Sequence, residues 1–379
     1  MKYYKIITYG CQMNEHESEK LAGFLTEENY EATESSAAAD VIVLNTCCVR
    51  AGAENKVYSR LGVLQPLKRL KPSLIIAVCG CMAQNAEAFE TLKTRFPYVD
   101  IVFGTHNFDK FREFLKRRAE TGGRVLEREE EGGPVCEGGV YRRADKNRAY
   151  VNIMYGCDNF CSYCIVPYVR GRERSRRPEP ILQEIAELTA RGCREITLLG
   201  QNVNSYRGEE NGAAVGFPEL LRRIDGLPGA FEVAFMTSHP KDLSAETIAA
   251  VAECPKVKKE IHLPAQSGSD AVLAAMNRNY TAAEYLALLD RIRAEIPNCA
   301  VSGDIIVGFP GESESDFAAT LDLVKRARFS NLFMFMFSER PGTPAARMPD
   351  KIPIAVKKRR LNELIAIQRE VVNRLNKRE

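Results

Sequence analysis

The chain has 379 residues, of which 45% are hydrophobic and 27% are charged, and its formal net charge is +3. These values predict a globular protein of two or three domains and exclude one that is strongly basic throughout. The longest apolar stretches, such as residues 74–78, are far too short to cross a bilayer, and the N-terminus is too polar for a signal peptide, so we expect a cytoplasmic protein with no membrane partner.

The first part of the chain alternates between short apolar runs and helical stretches. The predicted strands cover residues 3–8, 41–44, 74–78 and 101–103, and the predicted helices cover 15–29, 51–69, 84–95 and 107–118. This alternation predicts an open parallel sheet with helices on both faces. We therefore expect an N-terminal α/β domain over residues 1–120.

Three cysteines follow successive predicted strands of this domain. Cys11 comes after the first strand, Cys47 after the second and Cys81 after the third. Twelve cysteines in a chain of this kind favour metal or catalytic thiols over disulfides. Ligands of open α/β sheets bind beyond the carboxyl ends of strands, so these thiols predict a 4Fe-4S cluster with three cysteine ligands and one open iron. Cys48 and Cys79 lie close enough in sequence to replace Cys47 or Cys81 as ligands.

The segment 121–148 interrupts the alternation and predicts a linker. It contains glycine pairs and an acidic run over residues 127–131, which are typical of an extended surface crossing. Cys136 lies in this segment, and we interpret it as a loop thiol without a ligand role.

From residue 149 the alternation resumes and continues to the end of the chain. The predicted strands cover residues 149–154, 195–199, 231–236, 259–263, 301–307 and 331–337, and a long amphipathic helix starts near Ala355. Six strand-helix units are too few for a closed eightfold barrel and predict a partial (β/α)6 barrel over residues 149–379.

A cysteine motif directly follows the first strand of this second half. Cys157, Cys161 and Cys164 have the spacing C-x3-C-x2-C. Three thiolates this close bind three irons of a cubane 4Fe-4S cluster and leave the fourth without a protein ligand, whereas a cluster that only transfers electrons normally has four cysteine ligands. The open iron therefore binds something else, and S-adenosylmethionine (SAM) is the leading candidate.

This motif, placed after a first barrel strand, resembles the radical SAM superfamily. The resemblance implies that the open iron binds SAM and that an electron from the cluster cleaves SAM to a 5′-deoxyadenosyl radical. Polar residues at the strand ends are then expected to face one SAM cavity, with Tyr163 stacked on the adenine. The residues expected to bind SAM are Tyr163, Gln201, Asn202, Ser238, Gln266, Asp304 and Arg340.

Four further segments carry a second, narrower resemblance. They are residues 8–14 (TYGCQMN), 45–47 (NTC), 80–83 (GCMA) and 201–206 (QNVNSY). With them, nearly the whole chain is similar to the methylthiotransferases, and the Cys-Gln-Met-Asn sequence resembles the MiaB branch, which acts on tRNA. Members of this family usually continue into an all-β TRAM domain that binds RNA, and we expect none here because no strand-rich sequence follows the last predicted helix.

The resemblance implies an enzyme with two 4Fe-4S clusters and two SAM molecules. One SAM methylates a sulfur on the cluster at Cys11, Cys47 and Cys81, and the other yields the radical that removes hydrogen from C2 of an adenine. The implied product is 2-methylthio-N6-isopentenyladenosine next to the anticodon of tRNA, whose base must leave the stacked loop to be reached. The implied partners are the tRNA anticodon loop, an electron donor and a sulfur source.

A basic run follows the second cysteine motif. We expect it to contact tRNA phosphates, and the alternative is a solvated arginine face with ion pairs to Glu173 and Glu179. The arginines of this run are Arg170, Arg172, Arg174, Arg176 and Arg177.

Two other functions stay open at this point. The same fold and clusters fit a methylthiotransferase that acts on a ribosomal protein side chain or on threonylcarbamoyl-adenosine in tRNA. A function of another class is a non-catalytic iron-sulfur RNA-binding or sensor protein, which would need no SAM.

Overall fold

The structure is a computed structural model that describes residues 1–48, 51–133, 135, 137–139, 141–143 and 145–376. It divides into two compact units. The first comprises Met1–Cys157 and Ile165–Arg174, and the second comprises Asp158–Cys164 and Ser175–Glu379. The expected domain limits at residues 120 and 148 stay predictions, and Cys136 lies outside the described residues.

The first unit is built on a parallel sheet, as its sequence predicts. Its elements are β1 (Lys2–Tyr9), α1 (Gln12–Glu27), β2 (Tyr30–Ala32), β3 (Val41–Thr46), α2 (Ala51–Leu70), β4 (Ile75–Gly80), α3 (Cys81–Gln84), α4 (Ala86–Arg95), β5 (Ile101–Phe103), α5 (Phe111–Thr121), β6 (Val125–Glu127), β7 (Arg148–Asn152), β8 (Met154–Tyr155) and α6 (Val166–Arg170), with a 3₁₀ helix over Thr105–Lys110. The strand order is β2-β1-β3-β4-β5-β6, and every pair is parallel. The predicted α/β class is confirmed.

Two short strands of this sheet were not predicted. Strand β2 pairs with β1, and β6 pairs with β5 at the opposite edge. Strand β6 lies within the segment interpreted as a linker, so part of residues 121–148 belongs to the sheet. Both strands have only three residues, which is too short for a hydrophobic period to be recognised in sequence.

Alternate residues of the central strands enter two separate cores. Ile42 and Leu44 pack on one face of the sheet, while Val41 and Val43 pack on the other. All four side chains are fully buried, and strand β3 therefore lacks the polar alternation of a sheet with one wet face. A parallel sheet buried on both faces leaves only its strand ends for a site.

A buried carboxylate ties the helices of this unit to the sheet. Asp100 precedes β5 and is 4% exposed. Its oxygens accept hydrogen bonds from Lys68 Nζ at 2.8 Å, from Arg118 Nη2 at 2.8 Å and from the backbone N–H of Ile76 at 2.8 Å. One acidic side chain thus joins α2, α5 and β4.

The second unit continues the alternation of strands and helices. The elements after α6 are β9 (Arg174–Ser175), α7 (Pro178–Ala190), β10 (Glu195–Leu199), β11 (Arg207–Glu210), β12 (Ala213–Gly216), α8 (Phe217–Asp225), β13 (Glu232–Phe235), α9 (Ala245–Glu253), β14 (Glu260–His262), α10 (Asp270–Ala275), α11 (Ala282–Glu295), β15 (Ala300–Val307), α12 (Glu314–Ala327), β16 (Asn331–Met336), α13 (Pro344–Arg347) and α14 (Ile354–Leu375), with 3₁₀ helices over Val203–Ser205 and Pro240–Asp242. Strand β10 pairs in parallel with β13, and β15 pairs in parallel with β14 and β16. This agrees with the predicted partial barrel, and α14 is the predicted final helix.

Short polar residues start the helices that follow these strands. Ser244, Ser269, Thr281 and Ser313 are N-caps whose hydroxyl groups accept hydrogen bonds from the first turns of their helices. Such caps satisfy donors that the helix itself leaves unpaired. Ser269 is therefore a capping residue rather than a ligand of the strand-end cavity.

None of the helices in the described ranges combines the length and the apolar character needed to cross a membrane.

We expect Asp100→Ala to lower the free energy of unfolding by about 3 kcal/mol, because it leaves Lys68 and Arg118 without their carboxylate. Urea unfolding followed by circular dichroism measures this change. Glu90→Ala removes an exposed ion pair with Lys93 and is the control, with an expected change below about 0.5 kcal/mol. Equal losses in the two variants would contradict an anchoring role for Asp100.

Candidate functional site

The three separated cysteines of the first unit lie at the ends of neighbouring strands. Cys11 follows β1 and is the N-cap of α1, Cys47 follows β3, and Cys81 follows β4 and opens α3. Cys47 and Cys81 are buried, while Cys11 is exposed. Because β3 lies between β1 and β4 in the sheet, the topology brings the three positions to one edge, as the sequence predicts.

A network of buried polar side chains holds these strand ends together. Asn14 Nδ2 donates to Asn45 Oδ1 at 3.0 Å and to Thr46 O at 3.2 Å, and Asn45 Nδ2 donates back to Asn14 O at 2.8 Å. Thr46 Oγ1 donates to the backbone oxygen of Cys79 at 2.5 Å. The Cys11 thiol donates to Asn14 Oδ1 at 3.4 Å. The network therefore links α1, β3 and β4 directly beside the cysteines.

Gly80 makes the close approach of β4 and β3 possible. Its backbone has φ 95° and ψ −163°, a region that essentially only glycine occupies. A Cβ atom at this position would lie 2.4 Å from Thr46 O. The glycine thus turns the chain so that Cys81 begins its helix next to the end of β3.

The neighbouring thiols differ in their readiness to ionise. A hydrogen bond with the Cys48 thiol lowers the pKa of Cys81 to about 7, against the opposing effect of burial and with help from the Arg170 guanidinium. The same contact raises the pKa of Cys48 well above its usual value, and burial does the same for Cys79. Cys79 also packs into the core on the opposite face of the sheet from Cys48 and Cys81. Since the thiolate is the form that binds metals, these differences favour Cys81 over Cys79 as a ligand.

Two arginines of the basic run are buried in ion pairs. Arg170 is 4% exposed and donates to both carboxylate oxygens of Glu17, at 2.6 and 3.2 Å. Arg176 is 3% exposed and donates to Glu184 at 2.8 Å. Guanidinium groups held this way do not reach an RNA phosphate, and this corrects the expectation for both residues.

The other three arginines of the run are more accessible. Arg174 is partly buried, and its guanidinium donates to the backbone oxygen of Gly133 at 2.6 Å. Arg172 and Arg177 are exposed. The predicted phosphate contacts therefore rest on Arg172 and Arg177, with Arg174 partly engaged by the backbone.

The first cysteine of the second motif is held through its backbone. Cys157 belongs to the first unit, where its N–H donates to Gly171 O at 3.2 Å. The preceding Gly156 has φ 78°, and a Cβ atom there would lie 2.0 Å from Arg172 O. Glycine is thus required where the chain enters the motif.

Cys161 and Cys164 lie in a loop of the second unit that is fixed by the end of α10. Ser162 donates from its N–H to Met276 O at 3.0 Å and from its hydroxyl to Ala275 O at 2.8 Å. Asn277 Nδ2 donates to the backbone oxygens of Asn159 and Phe160, each at 3.1 Å. These bonds hold the cysteine loop against the end of α10.

Sequence reasoning missed a buried arginine beside this loop. Arg278 Nη1 donates to Cys161 Sγ at 3.5 Å. The two residues are 117 positions apart, and no motif in the sequence connects them.

Several polar atoms at the strand ends of the second unit are buried without a partner. They include three of the residues predicted to bind SAM: Asn202 through Oδ1, Ser238 through Oγ and Gln266 through Oε1. Asn204 and His239 Nε2, which sequence reasoning did not select, share this property. A buried polar group without a hydrogen bond is destabilising by about 1–3 kcal/mol, so these atoms fit a polar ligand such as SAM.

His239 is held in its neutral form. Burial, together with the charges of Arg278 and Lys241, lowers the pKa of its imidazole to about 2. Its Nδ1 accepts a hydrogen bond from the Lys241 N–H at 3.3 Å, which leaves the proton on the unpartnered Nε2. The imidazole is therefore a hydrogen-bond donor at any physiological pH.

The strand ends are joined to each other in pairs. The N–H of Val203, next to Asn202, donates to Thr237 O at 3.1 Å, and Asn202 Nδ2 donates to Asp242 Oδ2 at 2.7 Å. Gln266 has φ 71°, and its N–H donates to Asp304 O at 2.8 Å. The structure thus brings Asn202 beside Ser238 in the chain fold, and Gln266 beside Asp304.

The remaining predicted SAM residues have other surroundings. Asp304 Oδ1 lies 3.5 Å from His262 Nε2, and Tyr163 packs against the apolar cluster that contains Met276 and Phe309. Gln201 and Arg340 are partly buried at the ends that follow β10 and β16. The structure leaves the roles of these four residues as predictions.

A single metal ion has no ready-made site in the described part of the chain. No three His, Cys, Asp or Glu side chains converge there on one point. A cubane cluster makes a different demand, because each of three cysteines binds a different iron. Soft thiol donors at one sheet edge and in one ordered loop therefore fit iron-sulfur clusters rather than a lone hard cation.

We expect Gly80→Ala to lower the free energy of unfolding by about 1–3 kcal/mol, because alanine disfavours this backbone region and its Cβ would meet Thr46 O. Urea unfolding measures the loss. The iron content after anaerobic reconstitution measures whether Cys81 still binds iron. Gly62→Ala is the matched control: a Cβ there meets nothing within 4 Å inside α2, so it is expected to stabilise the protein by about 0.5–1 kcal/mol. An unchanged free energy of unfolding in Gly80→Ala would contradict a strained turn at this position.

Comparisons with known proteins agree with this arrangement. A family model described as Uncharacterized protein family UPF0004 matches residues 3–104, and one described as Radical SAM superfamily matches residues 151–324. In solved structures, the fold is similar to that of a radical S-adenosylmethionine methyltransferase, TsrM, from Kitasatospora setae, with a TM-score of 0.67 at 14% identity over 91% of this chain and 75% of that chain. At this identity the likeness concerns the fold alone.

Curated relatives match nearly the full chain. A tRNA-2-methylthio-N(6)-dimethylallyladenosine synthase from Acetivibrio thermocellus is 49% identical over 99% of this chain and 78% of its own length. A protein of the same name from Clostridium botulinum is 51% identical over 98% of this chain and 82% of its own length. These matches confirm the predicted resemblance, and the chain belongs to the family of the tRNA-2-methylthio-N(6)-dimethylallyladenosine synthases.

Proposed function

We propose that this protein is a radical SAM methylthiotransferase that adds a methylthio group to C2 of N6-isopentenyladenosine in tRNA, next to the anticodon. The observation that carries the proposal is identity of about half of all residues with tRNA-2-methylthio-N(6)-dimethylallyladenosine synthases over nearly the full chain. The two cysteine sets and the unpartnered polar atoms at the strand ends support it independently.

In this proposal Cys157, Cys161 and Cys164 hold a 4Fe-4S cluster with one open iron. When bound, this cluster and SAM supply the radical that removes hydrogen from C2 of the base. The chain's own part is to bind and orient SAM through the unpartnered atoms of Asn202, Ser238 and Gln266. These atoms are buried, so a ligand held by them is shielded from water, and a radical formed there is protected from side reactions.

Cys11, Cys47 and Cys81 hold the second 4Fe-4S cluster in this proposal. That cluster supplies the sulfur of the methylthio group. The network of Asn14 and Asn45 orients the strand ends that carry these ligands. The lowered pKa of Cys81 supports this choice, because a thiol with a lowered pKa gives up its proton to a metal more readily.

The partners follow from the reaction. The substrate is the anticodon loop of a tRNA, an electron donor reduces the cluster, and a sulfur source replenishes the sulfur that is transferred. Such a substrate places the enzyme in the cytoplasm. Neither a ribosomal protein side chain nor threonylcarbamoyl-adenosine is named for the relatives that match this chain so closely, and the alternatives are not favoured.

Substitutions in the two cysteine sets are expected to separate SAM cleavage from methylthio transfer. Cys161→Ala should abolish formation of 5′-deoxyadenosine and of modified tRNA, because it removes a ligand of the cluster that cleaves SAM. Cys81→Ala should keep 5′-deoxyadenosine formation and lose the methylthio product. Liquid chromatography and mass spectrometry of reaction mixtures and of digested tRNA bearing isopentenyladenosine measure both.

The matched control is Cys193→Ala, which removes a buried thiol that belongs to neither set. It should keep both products. If the wild-type protein binds clusters and cleaves SAM but leaves this tRNA unmodified, the substrate is wrong. If it cleaves no SAM at all, the radical reaction is wrong as well. Cys48→Ala and Cys79→Ala are measured in the same assay to identify the ligands. Full activity of both variants would support Cys47 and Cys81 as the cluster ligands.

We expect Arg172→Ala and Arg177→Ala each to flatten the dependence of tRNA affinity on salt by about one unit of slope, since each removes one phosphate contact. Filter binding at several salt concentrations measures the slope. Arg69→Ala, which removes an exposed arginine on α2, is the control and should leave the slope unchanged. Unchanged slopes in both test variants would mean that this run is a solvated arginine face.

A further inference from the structure

The guanidinium of Arg278 is buried beside a proposed cluster ligand. The residue is 4% exposed. Its Nη1 donates to Cys161 Sγ at 3.5 Å, its Nη2 to Pro264 O at 2.7 Å and its Nε to the Tyr280 hydroxyl at 2.9 Å. Every nitrogen of the group thus has a partner, and one of these partners is a sulfur.

No carboxylate balances the charge of Arg278. Three other arginines are as deeply buried, and each pairs with an acid: Arg170 with Glu17, Arg176 with Glu184 and Arg360 with Glu312. Among the described residues, no Asp or Glu oxygen lies within 4 Å of Arg278, whose partners are two neutral oxygens and the sulfur. A buried cation without an anion is strongly unfavourable, so the position calls for a negative ligand.

The backbone holds Arg278 firmly against the cysteine loop. Its N–H donates to Leu273 O at 3.0 Å, and the residues on either side, Asn277 and Asn279, have left-handed backbones with φ 57° and 54°. Asn277 is also the residue whose side chain binds the backbone of Asn159 and Phe160. In this turn, Asn277 therefore supports the cysteine loop, and Arg278 places its positive charge next to Cys161.

We propose that Arg278 is a positioning residue for the cluster at Cys157, Cys161 and Cys164, and that its hydrogen bond to the Cys161 sulfur raises the reduction potential of that cluster. The inference rests on the proposed function, because it requires the cluster. Gain of one electron makes the cluster and its thiolates more negative, and a nearby cation and N–H donor stabilise that state more than the oxidised one. No bond at Arg278 forms or breaks, and the electron comes from a low-potential one-electron donor.

The test is a redox titration of the full chain with a single cluster. Cys11, Cys47 and Cys81 are replaced by alanine in the parent protein, which is reconstituted anaerobically with iron and sulfide and titrated with dithionite under electron paramagnetic resonance. Arg278→Gln removes the charge and the fork of donors. Arg278→Lys keeps the charge and loses the fork. Tyr280→Phe keeps the guanidinium and removes its Nε partner.

At a fixed solution potential, Arg278→Gln is expected to lower the ratio of reduced to oxidised cluster about tenfold, which is a shift of about 59 mV for one electron. Arg278→Lys should give a smaller shift in the same direction, and Tyr280→Phe the smallest. Arg176→Gln is the control: it removes an equally buried guanidinium whose partner is Glu184, and the ratio should not change. If Arg278→Gln does not fold, Arg278→Lys and Tyr280→Phe decide the question.

A ratio of reduced to oxidised cluster in the Arg278 variants within twofold of the parent would overturn the inference. If these variants also bind SAM more weakly than the parent does, Arg278 faces the cofactor and not the cluster. A parent protein that takes up no cluster would instead refute the proposed function.

Discussion

The constraint on which the cysteine site of the first unit depends is the burial of its central parallel strands on both faces. Helices cover the two faces of the N-terminal sheet, so its central strands expose nothing but their ends. The cysteines proposed as ligands in the first unit, Cys11, Cys47 and Cys81, therefore lie where strands end, and the polar residues proposed to bind SAM in the second unit, Asn202, Ser238 and Gln266, also follow strands. Glycines such as Gly80 then allow the chain to turn so tightly that neighbouring strand ends come together.

The deeply buried arginines differ in how their charge is balanced. Arg170, Arg176 and Arg360 are each neutralised by a carboxylate, and they stabilise the packing of the segments they join. Arg278 differs from these three because its partners are two neutral oxygens and the Cys161 sulfur, with no carboxylate, and its charge is balanced only if an anionic group is present there. The unpartnered oxygens of Asn202, Ser238 and Gln266 likewise point to a polar ligand. Both observations fit a site that binds anionic and polar cofactors.

Sequence reasoning succeeded where a local pattern carries the chemistry. The spacing of Cys157, Cys161 and Cys164 and the apolar strand periods are local, and the fold class and family follow from them. It failed at β2 and β6, which are too short to show a period, and at the hairpin of β11 and β12. The Asn211-Gly212 turn of that hairpin is a recognisable signal, but the flanking charged residues obscured it.

The sequence by itself determined the alternation of strands and helices, the two sets of cysteines and the resemblance to methylthiotransferases, because each can be recognised from short segments of the chain taken one at a time. Only the tertiary structure decided which polar groups are buried and what they meet. The basic run predicted that Arg170 and Arg176 contact phosphates, yet both side chains are buried in ion pairs with carboxylates. In the sequence, Arg278 is an ordinary charged residue after a helix, yet in the structure its guanidinium donates a hydrogen bond to Cys161 Sγ. Burial and pairing arise from contacts between distant segments, and no local pattern of residue types records them.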